Sequence, residues 1–468
     1  MGVKPFFYAL KNDTFIFGSE IKTLLEYPDI EPVIDRKGII DLLFIGPGRT
    51  PGCGVFRDIH ELEPGHCGTF DRNGLRTFSY WKLKDRLHTE TFEETSDHVR
   101  YLVTDAIRRQ LVSDVPLGTF LSGGLDSSII SAVAASHFRS LGHQLDTFSV
   151  TYTDNQKYFK TSKFQPTTDE PYIQMMAEFL GSNHHTFVVD NEQLALALKA
   201  AVDARDLPGM ADVDSSLLLF CEEIKKHVTV ALSGECADEI FGGYPWYRDE
   251  KIRSAYGFPW AQTTAMRQKF LTTHLRKLID GEAEVSARYE QALAETDKSE
   301  GLSPKESRLR EMVHLNMYWF MQTLLTRKDR MSMYHGLEVR VPFCDHRIAE
   351  YMYSVPWEMK EYKGMEKGLL RHAVEGLLPD EIRLRKKSPY PKTHNPQYTS
   401  IVSGMLKEIT DNSDAPIFDL VDRNALTGLL NDEFTQPWYG QLMTGPQTMA
   451  YMIQLNYWLE KYRVKISL

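Results

Sequence analysis

The stretch FLSGGLDSSII, residues 120–130, lies between an apolar run and a second run rich in apolar and hydroxyl side chains. The preceding letters, LGTFL, are typical of a buried strand, and SSIISAVAASHF is typical of a helix. Gly123 and Gly124 allow backbone N–H groups to approach an anion, and the helix N-terminus adds a partial positive charge. The stretch therefore predicts a phosphate-binding loop between a strand and a helix.

Asp126 stands in this loop where the commonest phosphate loop has a lysine. A carboxylate repels phosphate unless a cation such as Mg²⁺ bridges the two groups. The sequence contains no GxxxxGK[ST] pattern, which argues against transfer of a terminal phosphate. A loop that binds pyrophosphate through Mg²⁺ suits cleavage between the α- and β-phosphates of ATP, and the predicted reaction class is adenylation.

Strand and helix patterns alternate on both sides of the loop. DTFSVTY and HTFVVD predict strands, EPYIQMMAEFLG and SSLLLFCEEIKKH predict helices, and VTVALSG predicts a further strand. This alternation is typical of an α/β fold in which helices cover both faces of a parallel sheet. Beyond Tyr247 the patterns indicate helices and no strand, so we expect a C-terminal helical layer packed on the sheet.

The first 80 residues differ, because short apolar runs are separated there by the turn-forming letters KND, EPG and DRNG. Such runs predict antiparallel hairpins. A charged stretch that begins at Lys82 is the candidate linker. We expect a β domain over residues 1–85 and an α/β domain over residues 86–468.

Composition narrows the class of protein. The chain has 468 residues and a net charge of −10, which argues against a broad nucleic-acid-binding surface. Its five cysteines have no metal-ligand spacing and are typical of free thiols in a reducing cytosol. No apolar run is long enough to span a bilayer. We expect a cytoplasmic protein that acts on small molecules and binds neither nucleic acid nor membrane.

Four motifs in order resemble one enzyme family. SGGLDSS resembles the signature of the PP-loop ATP pyrophosphatases. It is followed by SGECADEIFGGY from residue 233, LTRKDRMSMYHGLEVRVPFCD at residues 325–345 and KGMEKGLLR at residues 363–371. Together these motifs are similar to those of the glutamine-dependent asparagine synthetases, and the resemblance covers nearly the whole chain.

The resemblance implies roles for residues at the carboxyl ends of the predicted strands. The pyrophosphate loop would consist of Leu121, Ser122, Gly123, Gly124, Asp126 and Ser127. Contacts to the adenine or ribose of ATP would come from Val150, Ser233 and Gly234. Asp126 and Asp238 would bind Mg²⁺-pyrophosphate. Glu235 would position ammonia and accept its proton, and Lys367 would place positive charge on the reacting phosphate.

The second motif usually reads SGEGADE in this family, and Cys236 replaces its second glycine here. We expect the loop to accept a cysteine if the backbone φ at this position is negative. A separate basic run, RLRKK at residues 383–387, is interpreted first as a solvated face, and the less favoured alternative is that it closes over phosphates.

Family members begin with a glutaminase domain whose N-terminal cysteine attacks glutamine. Here residue 2 is Gly2, and the first cysteine is Cys53. Residues 1–80 resemble the later part of that domain, which predicts a partial antiparallel β-sandwich with an uncovered apolar face. We therefore expect no glutaminase half-reaction in this chain. Three explanations of the absent front are open: a start codon assigned too late, a fragment or cleaved chain, or a separate glutaminase fragment that supplies the rest as a partner. An uncovered half-sandwich also favours association into a homodimer.

The resemblance implies conversion of aspartate, ATP and ammonia to asparagine, AMP and pyrophosphate through β-aspartyl-AMP; in full-length relatives the ammonia comes from glutamine. One alternative is a related enzyme that adenylates another carboxylate and closes it on an internal amine, as β-lactam synthetases and lasso-peptide cyclases do. Another is a nucleotide-binding protein without turnover. No motif in the sequence identifies aspartate as the acceptor.

Overall fold

The structure is a computed structural model that describes residues 1–161, 167–434, 436–440 and 443–468. The strands in these residues are β1 Phe7–Lys11, β2 Thr14–Gly18, β3 Val33–Ile34, β4 His60–Glu61, β5 His66–Asp71, β6 Gly74–Ser79, β7 Leu117–Phe120, β8 Asp146–Tyr152, β9 Asn183–Val189, β10 Val230–Leu232, β11 Glu338–Arg340 and β12 Lys465–Ile466. The α-helices are α1 Ile21–Leu25, α2 Arg36–Ile40, α3 Phe92–Gln110, α4 Leu125–Ser140, α5 Asn155–Tyr158, α6 Glu170–Leu180, α7 Asn191–Arg205, α8 Asp212–Lys225, α9 Ala237–Phe241, α10 Glu250–Ser254, α11 Thr264–Gln268, α12 Thr273–Leu278, α13 Gly281–Ala294, α14 Pro304–Leu315, α15 Met321–Met333, α16 His346–Ser354, α17 Trp357–Lys360, α18 Gly368–Ala373, α19 Asp380–Arg383, α20 Pro396–Asp411, α21 Arg423–Leu430 and α22 Gly445–Lys461.

A five-stranded parallel sheet with the order β11-β10-β7-β8-β9 forms the centre of the fold. Ala231 of β10 packs in one buried cluster with side chains of α7, α8 and α15, such as Phe220 and Met331. Its neighbours Val230 and Leu232 belong to the other cluster, which contains side chains of α3 and α4. Because successive strand residues point to opposite faces, both faces of the sheet are covered. The predicted α/β fold is confirmed.

The expectation of no strand beyond Tyr247 is wrong, since β11 lies at one edge of the central sheet. Its three residues are too few to show a periodicity in the sequence. Arg340 on this strand donates hydrogen bonds to the carbonyl oxygens of Gln110 and Val112, each at 2.7 Å. The edge strand thus satisfies backbone acceptors at the end of α3.

The N-terminal residues form a three-stranded antiparallel sheet, β2-β1-β4, and a separate β5–β6 hairpin. This confirms the predicted antiparallel strands. Phe17, Phe70 and Phe78 are between 41% and 58% exposed, and Phe70 and Phe78 lie on opposite faces of the β5–β6 hairpin. In the described parts of the chain, no helix combines the length and the apolar character needed to cross a membrane.

Candidate active site

A cavity of about 250 Å³ opens at the carboxyl ends of β7, β8 and β10. Parallel strands of an open sheet bring their ligand-binding loops together at this end. Eleven of the predicted site residues line it: Leu121, Ser122, Gly124, Asp126, Ser127, Val150, Ser233, Gly234, Glu235, Asp238 and Lys367. Gly123 does not line the cavity, and its role is to shape the loop behind it.

The loop between β7 and α4 depends on a glycine at residue 123. Gly123 has φ +66°, and an added Cβ would lie 2.7 Å from Tyr172 Cβ and 2.8 Å from the backbone N of Ile173. Gly124 precedes α4, and no side chain caps the backbone at this helix N-terminus. The first N–H groups of α4 are therefore available to an anion.

Gly123→Ala should weaken Mg·ATP binding by roughly tenfold or more and lower the free energy of unfolding by about 2 kcal/mol, because the added Cβ meets both a steric clash and a left-handed φ. Isothermal calorimetry and thermal unfolding measure the two effects. Gly142→Ala is the matched control, since Gly142 has φ +76° and no atom within 4 Å of the added Cβ. The control should lose about 1 kcal/mol and keep its ATP affinity; equal ATP losses in both variants would contradict this account.

Two carboxylates from different strand ends share one buried lysine. Lys367 Nζ lies 2.8 and 2.7 Å from the two oxygens of Asp126 and 2.8 Å from Asp238 Oδ1. The side chain of Lys367 is only 3% exposed. Burial alone would lower the pKa of Lys367, but the two carboxylates outweigh burial and raise it. The ammonium group is therefore charged within the cavity.

Asp126 and Asp238 could hold a divalent cation. Burial raises the pKa of Asp126 although Lys367 opposes this shift, so an additional cation would stabilise its ionised form. For Asp238, burial is outweighed by Lys367 and Lys387, which lower the pKa. The described residues contain no group of three or more metal-ligand side chains. Two carboxylates fit a Mg²⁺ ion whose other ligands are phosphate oxygens and water.

Glu235 lies on the other side of the cavity, in the turn after β10. Its Oε1 is 3.0 Å from Arg327 Nη2 and 3.3 Å from Lys328 Nζ. Burial would raise the pKa of Glu235, but the positive charges of Lys328 and Arg327 outweigh burial and lower it. Glu235 is therefore ionised at neutral pH.

The negative φ that would let the loop accept a cysteine without strain is not present at Cys236. Cys236 has φ +77° and forms the N-cap of α9 in the left-handed region. The chain reverses sharply here between β10 and α9, and this reversal requires a conformation that glycine adopts without strain. A cysteine at this position costs roughly 1–2 kcal/mol, which the surrounding buried packing must offset.

Glu239, which the sequence did not assign to the site, is a second buried carboxyl, on helix α9 directly after this turn. Tyr244 Oη donates a hydrogen bond of 2.5 Å to Glu239 Oε1. Burial, with the nearby charge of Asp238, raises the pKa of Glu239 to about 8. Glu239 is therefore largely protonated at neutral pH, in contrast to Glu235.

The raised pKa of Glu239 gives a stability prediction. Between its ordinary value of 4.5 and about 8, the folded protein binds a proton at this site that the unfolded chain does not. Folding stability should fall as pH rises through this window, by at most about 1.4 kcal/mol per pH unit. Glu239→Gln should remove this loss of folding stability. The melting temperature of the variant should therefore exceed that of the wild type by an amount that grows from pH 5 to pH 8.

Glu290→Gln is the control for this prediction, because Glu290 is an exposed carboxylate that accepts a hydrogen bond of 2.8 Å from Tyr256. Its melting temperature should stay parallel to that of the wild type over the same pH range. A parallel curve for Glu239→Gln would show that Glu239 does not bind the extra proton.

The interpretation of RLRKK as a solvated face is wrong. Arg383 and Arg385 are 9% and 8% exposed, and residues 385–387 line the cavity. The prolines that follow in SPYP keep this segment out of a surface helix. Arg327, Lys328 and Tyr244 were also missed as cavity residues, although they lie within two of the motifs that carry the family resemblance.

Comparison with known families separates the chain into two matched parts. Residues 98–460 match the family described as asparagine synthase. Residues 1–81 match the family described as glutamine amidotransferase domain.

Individual proteins with similar sequences include two from Bacillus subtilis strain 168. Glutamine-hydrolyzing asparagine synthetase 3 is 51% identical over 471 residues, covering 100% of this chain and 76% of that protein. Glutamine-hydrolyzing asparagine synthetase 1 is 32% identical over 422 residues, covering 83% of this chain and 64% of that protein. Among solved structures, the NAD⁺ synthetase from Burkholderia pseudomallei is 16% identical with a TM-score of 0.19, covering 56% of this chain and 87% of that chain. That structural likeness is too low to carry an argument.

Proposed function

Because the chain belongs to the asparagine synthase family of enzymes that form amides with ATP, we propose that it joins ammonia to the β-carboxylate of aspartate. The products would be asparagine, AMP and pyrophosphate. The main support for the proposal is that Lys367 pairs with both Asp126 and Asp238, although the three residues come from separate segments. All three line the cavity that Glu235 also lines.

The first step of the proposed reaction is adenylation. A carboxylate oxygen of aspartate attacks the α-phosphorus of ATP, the bond to the β-phosphate breaks, and pyrophosphate leaves. The N–H groups at the start of α4 would bind phosphate oxygens, and the charged Lys367 would neutralise negative charge that builds up on the α-phosphate. Asp126 and Asp238 would hold Mg²⁺, which supplies further charge neutralisation when bound.

The second step is attack by ammonia on the β-aspartyl-AMP carbonyl. The C–N bond forms, the nitrogen loses a proton, and the C–O bond to AMP breaks. Glu235 would take the proton, since it is ionised and lines the same cavity. Arg327 and Lys328 keep the Glu235 carboxylate in place before the reaction.

The charges around Glu235 support an acceptor with a second carboxylate. Arg327 and Lys328 are 3% and 4% exposed, and both contact the single carboxylate of Glu235. Two buried cations beside one carboxylate leave positive charge for an anionic substrate group. The α-carboxylate of aspartate would be the anionic group that pairs with this positive charge while the β-carboxylate reacts.

We propose free ammonia as the nitrogen source that the described residues can use. Burial, with the nearby charge of Asp41, raises the pKa of Cys53 well above its ordinary value, so this thiol is a poor nucleophile for glutamine. A cytoplasmic location is also proposed, since all five cysteines are free thiols.

The test is AMP release with ATP, Mg²⁺ and ammonia, in the presence of aspartate, glutamate or no amino acid. The proposal predicts AMP and asparagine in equal amounts with aspartate, and no AMP without an acceptor. AMP formation with another carboxylate but not aspartate would contradict the proposed acceptor. Formation of ADP in place of AMP would contradict adenylation itself.

A further inference from the structure

Lys367 lies at the end of a strained turn. We call residues 362–367, which directly precede α18, the lysine turn. Three of its residues have a left-handed φ, which is +56° at Lys363, +69° at Gly364 and +55° at Lys367. Only glycine adopts this conformation without strain, so contacts outside the turn must hold the backbone of Lys367 in place.

The two ends of the lysine turn meet at their backbones. A Cβ added to Gly368 would lie 2.3 Å from the carbonyl oxygen of Tyr362 and 2.6 Å from its backbone N. The N–H of Met365 donates a hydrogen bond of 3.2 Å to the same carbonyl oxygen, and the N–H of Gly368 donates one of 3.1 Å to the carbonyl oxygen of Met365. Because Lys367 directly precedes Gly368, the position of Tyr362 fixes the backbone of Lys367.

An aromatic side chain of α3 holds Tyr362. Phe92, the first residue of α3, stacks on Tyr362 with the ring centres 4.0 Å apart and the planes at 29°. The ring of His372 lies 5.0 Å from Phe92 and 5.4 Å from Tyr362, and its Nε2 is 3.3 Å from Glu93 Oε2. These described residues lie outside the lining of the cavity, so they would act through Lys367 and not on a substrate.

A second contact from α3 reaches the other end of α18. Arg100 Nη1 donates hydrogen bonds of 3.0 Å to the carbonyl oxygen of Ala373 and 2.8 Å to that of Glu375. Carbonyl groups at a helix C-terminus have no partner within the helix, and Arg100 supplies one here. The helix α3 therefore contacts the segment that carries Lys367 both before and after α18.

Resting on the proposed function, we propose that Phe92 and Arg100 are positioning residues that hold Lys367 in place for the reacting phosphate. Phe92 fixes the start of the lysine turn, and Arg100 fixes the end of α18. With both ends fixed, Lys367 cannot relax out of the left-handed region, and its ammonium group stays between Asp126 and Asp238.

The kinetic test is a double-mutant cycle with Lys367. Phe92→Leu, which loses the ring, should lower the saturated rate of aspartate-dependent exchange of labelled pyrophosphate into ATP by roughly tenfold. Its KM for ATP should change by less than about twofold. In the Lys367→Met background, Phe92→Leu should change the residual rate by less than about twofold, because the group that it positions is gone. Phe92→Tyr keeps the ring and should retain about half of the wild-type rate or more.

An equal loss of rate from Phe92→Leu in both backgrounds would overturn the proposal, because the ring would then act through general packing. Phe70→Leu is the matched control, since Phe70 stacks on Phe15 at 5.3 Å and 24° and neither ring lines the cavity. The control should keep the wild-type exchange rate.

A second readout needs no turnover. In protein labelled with ¹⁵N at its lysine side chains, the Nζ resonance of Lys367 is the one that is absent from Lys367→Met. This resonance should shift or broaden in Phe92→Leu, because the ammonium group is no longer held between two carboxylates, and it should be unchanged in Phe70→Leu. Arg100→Met should have the same effect as Phe92→Leu, and it changes an exposed side chain if Phe92→Leu fails to fold.

An unchanged Lys367 resonance in the folded variants would overturn the proposal. A wild type that forms no AMP from aspartate would instead contradict the proposed function, and the resonance would still decide whether Phe92 and Arg100 position Lys367.

Discussion

Lys367→Met should lower the rate of AMP formation by at least about 10²-fold, since it removes the buried charge that in the proposed mechanism would face the reacting phosphate. Lys367 Nζ contacts both Asp126 and Asp238 within 2.8 Å and has almost no exposure to water. The neighbouring Lys387 contacts only the other oxygen of Asp238 among the two shared carboxylates, so it should not compensate for the loss. A quenched-flow assay of AMP with saturating ATP and aspartate measures the effect.

The same variant should change the response of stability to Mg²⁺. Without Lys367, Asp126 and Asp238 lose a shared cation, and Mg²⁺ should raise the melting temperature of the variant more than that of the wild type. Lys363→Met is the matched control, because Lys363 has φ +56° and Lys367 has φ +55°, and Lys363 is exposed. If Lys367→Met formed AMP at the wild-type rate, the role proposed for Lys367 at the reacting phosphate would be contradicted.

Glu235→Gln should separate the two proposed steps. The variant keeps the size of the side chain and loses the proton acceptor, so asparagine formation should fall by about 10²–10⁴-fold. Aspartate-dependent exchange of labelled pyrophosphate into ATP should fall by less than about tenfold, because adenylation needs no base at this position. Arg327 and Lys328 would lose their ionised partner, which makes the binding site more positive.

The control for this variant is Glu338→Gln, which changes a half-exposed carboxylate at the sheet edge that pairs with Arg340. It should keep both activities. Retained asparagine formation in Glu235→Gln would exclude Glu235 as the proton acceptor. Equal loss of exchange and of asparagine formation would show that Glu235 acts in the first step.

The sequence predicted the central sheet and the two loops at its carboxyl edge because these elements have strong local patterns. The stretch around Gly123 has a strand before it, a helix after it and glycines where the backbone must turn. In the same way SGECADE follows a strand and precedes a helix. Parallel strands then bring both loops to one edge, so Asp126 and Asp238 come together without any specific long-range signal.

Other features depend on contacts that a local pattern does not contain. β11 is a strand because it pairs with β10, although it has only three residues. Arg385 and Lys387 of RLRKK line the cavity because Gly123, Asp169 and Glu366, all distant in sequence, accept their hydrogen bonds. The left-handed φ at Cys236 is set by the turn, and a cysteine gives no sign of it. Tertiary partners decide each of these features.

The central claim is that a carboxylate oxygen of aspartate attacks the α-phosphorus of ATP. The most direct test uses aspartate labelled with ¹⁸O in its β-carboxylate, with unlabelled ATP, Mg²⁺ and ammonia, and mass spectrometry of the AMP formed. The account predicts that each AMP gains one ¹⁸O atom and that asparagine keeps one. Unlabelled AMP would contradict the account, because water and not aspartate would then have attacked the phosphate.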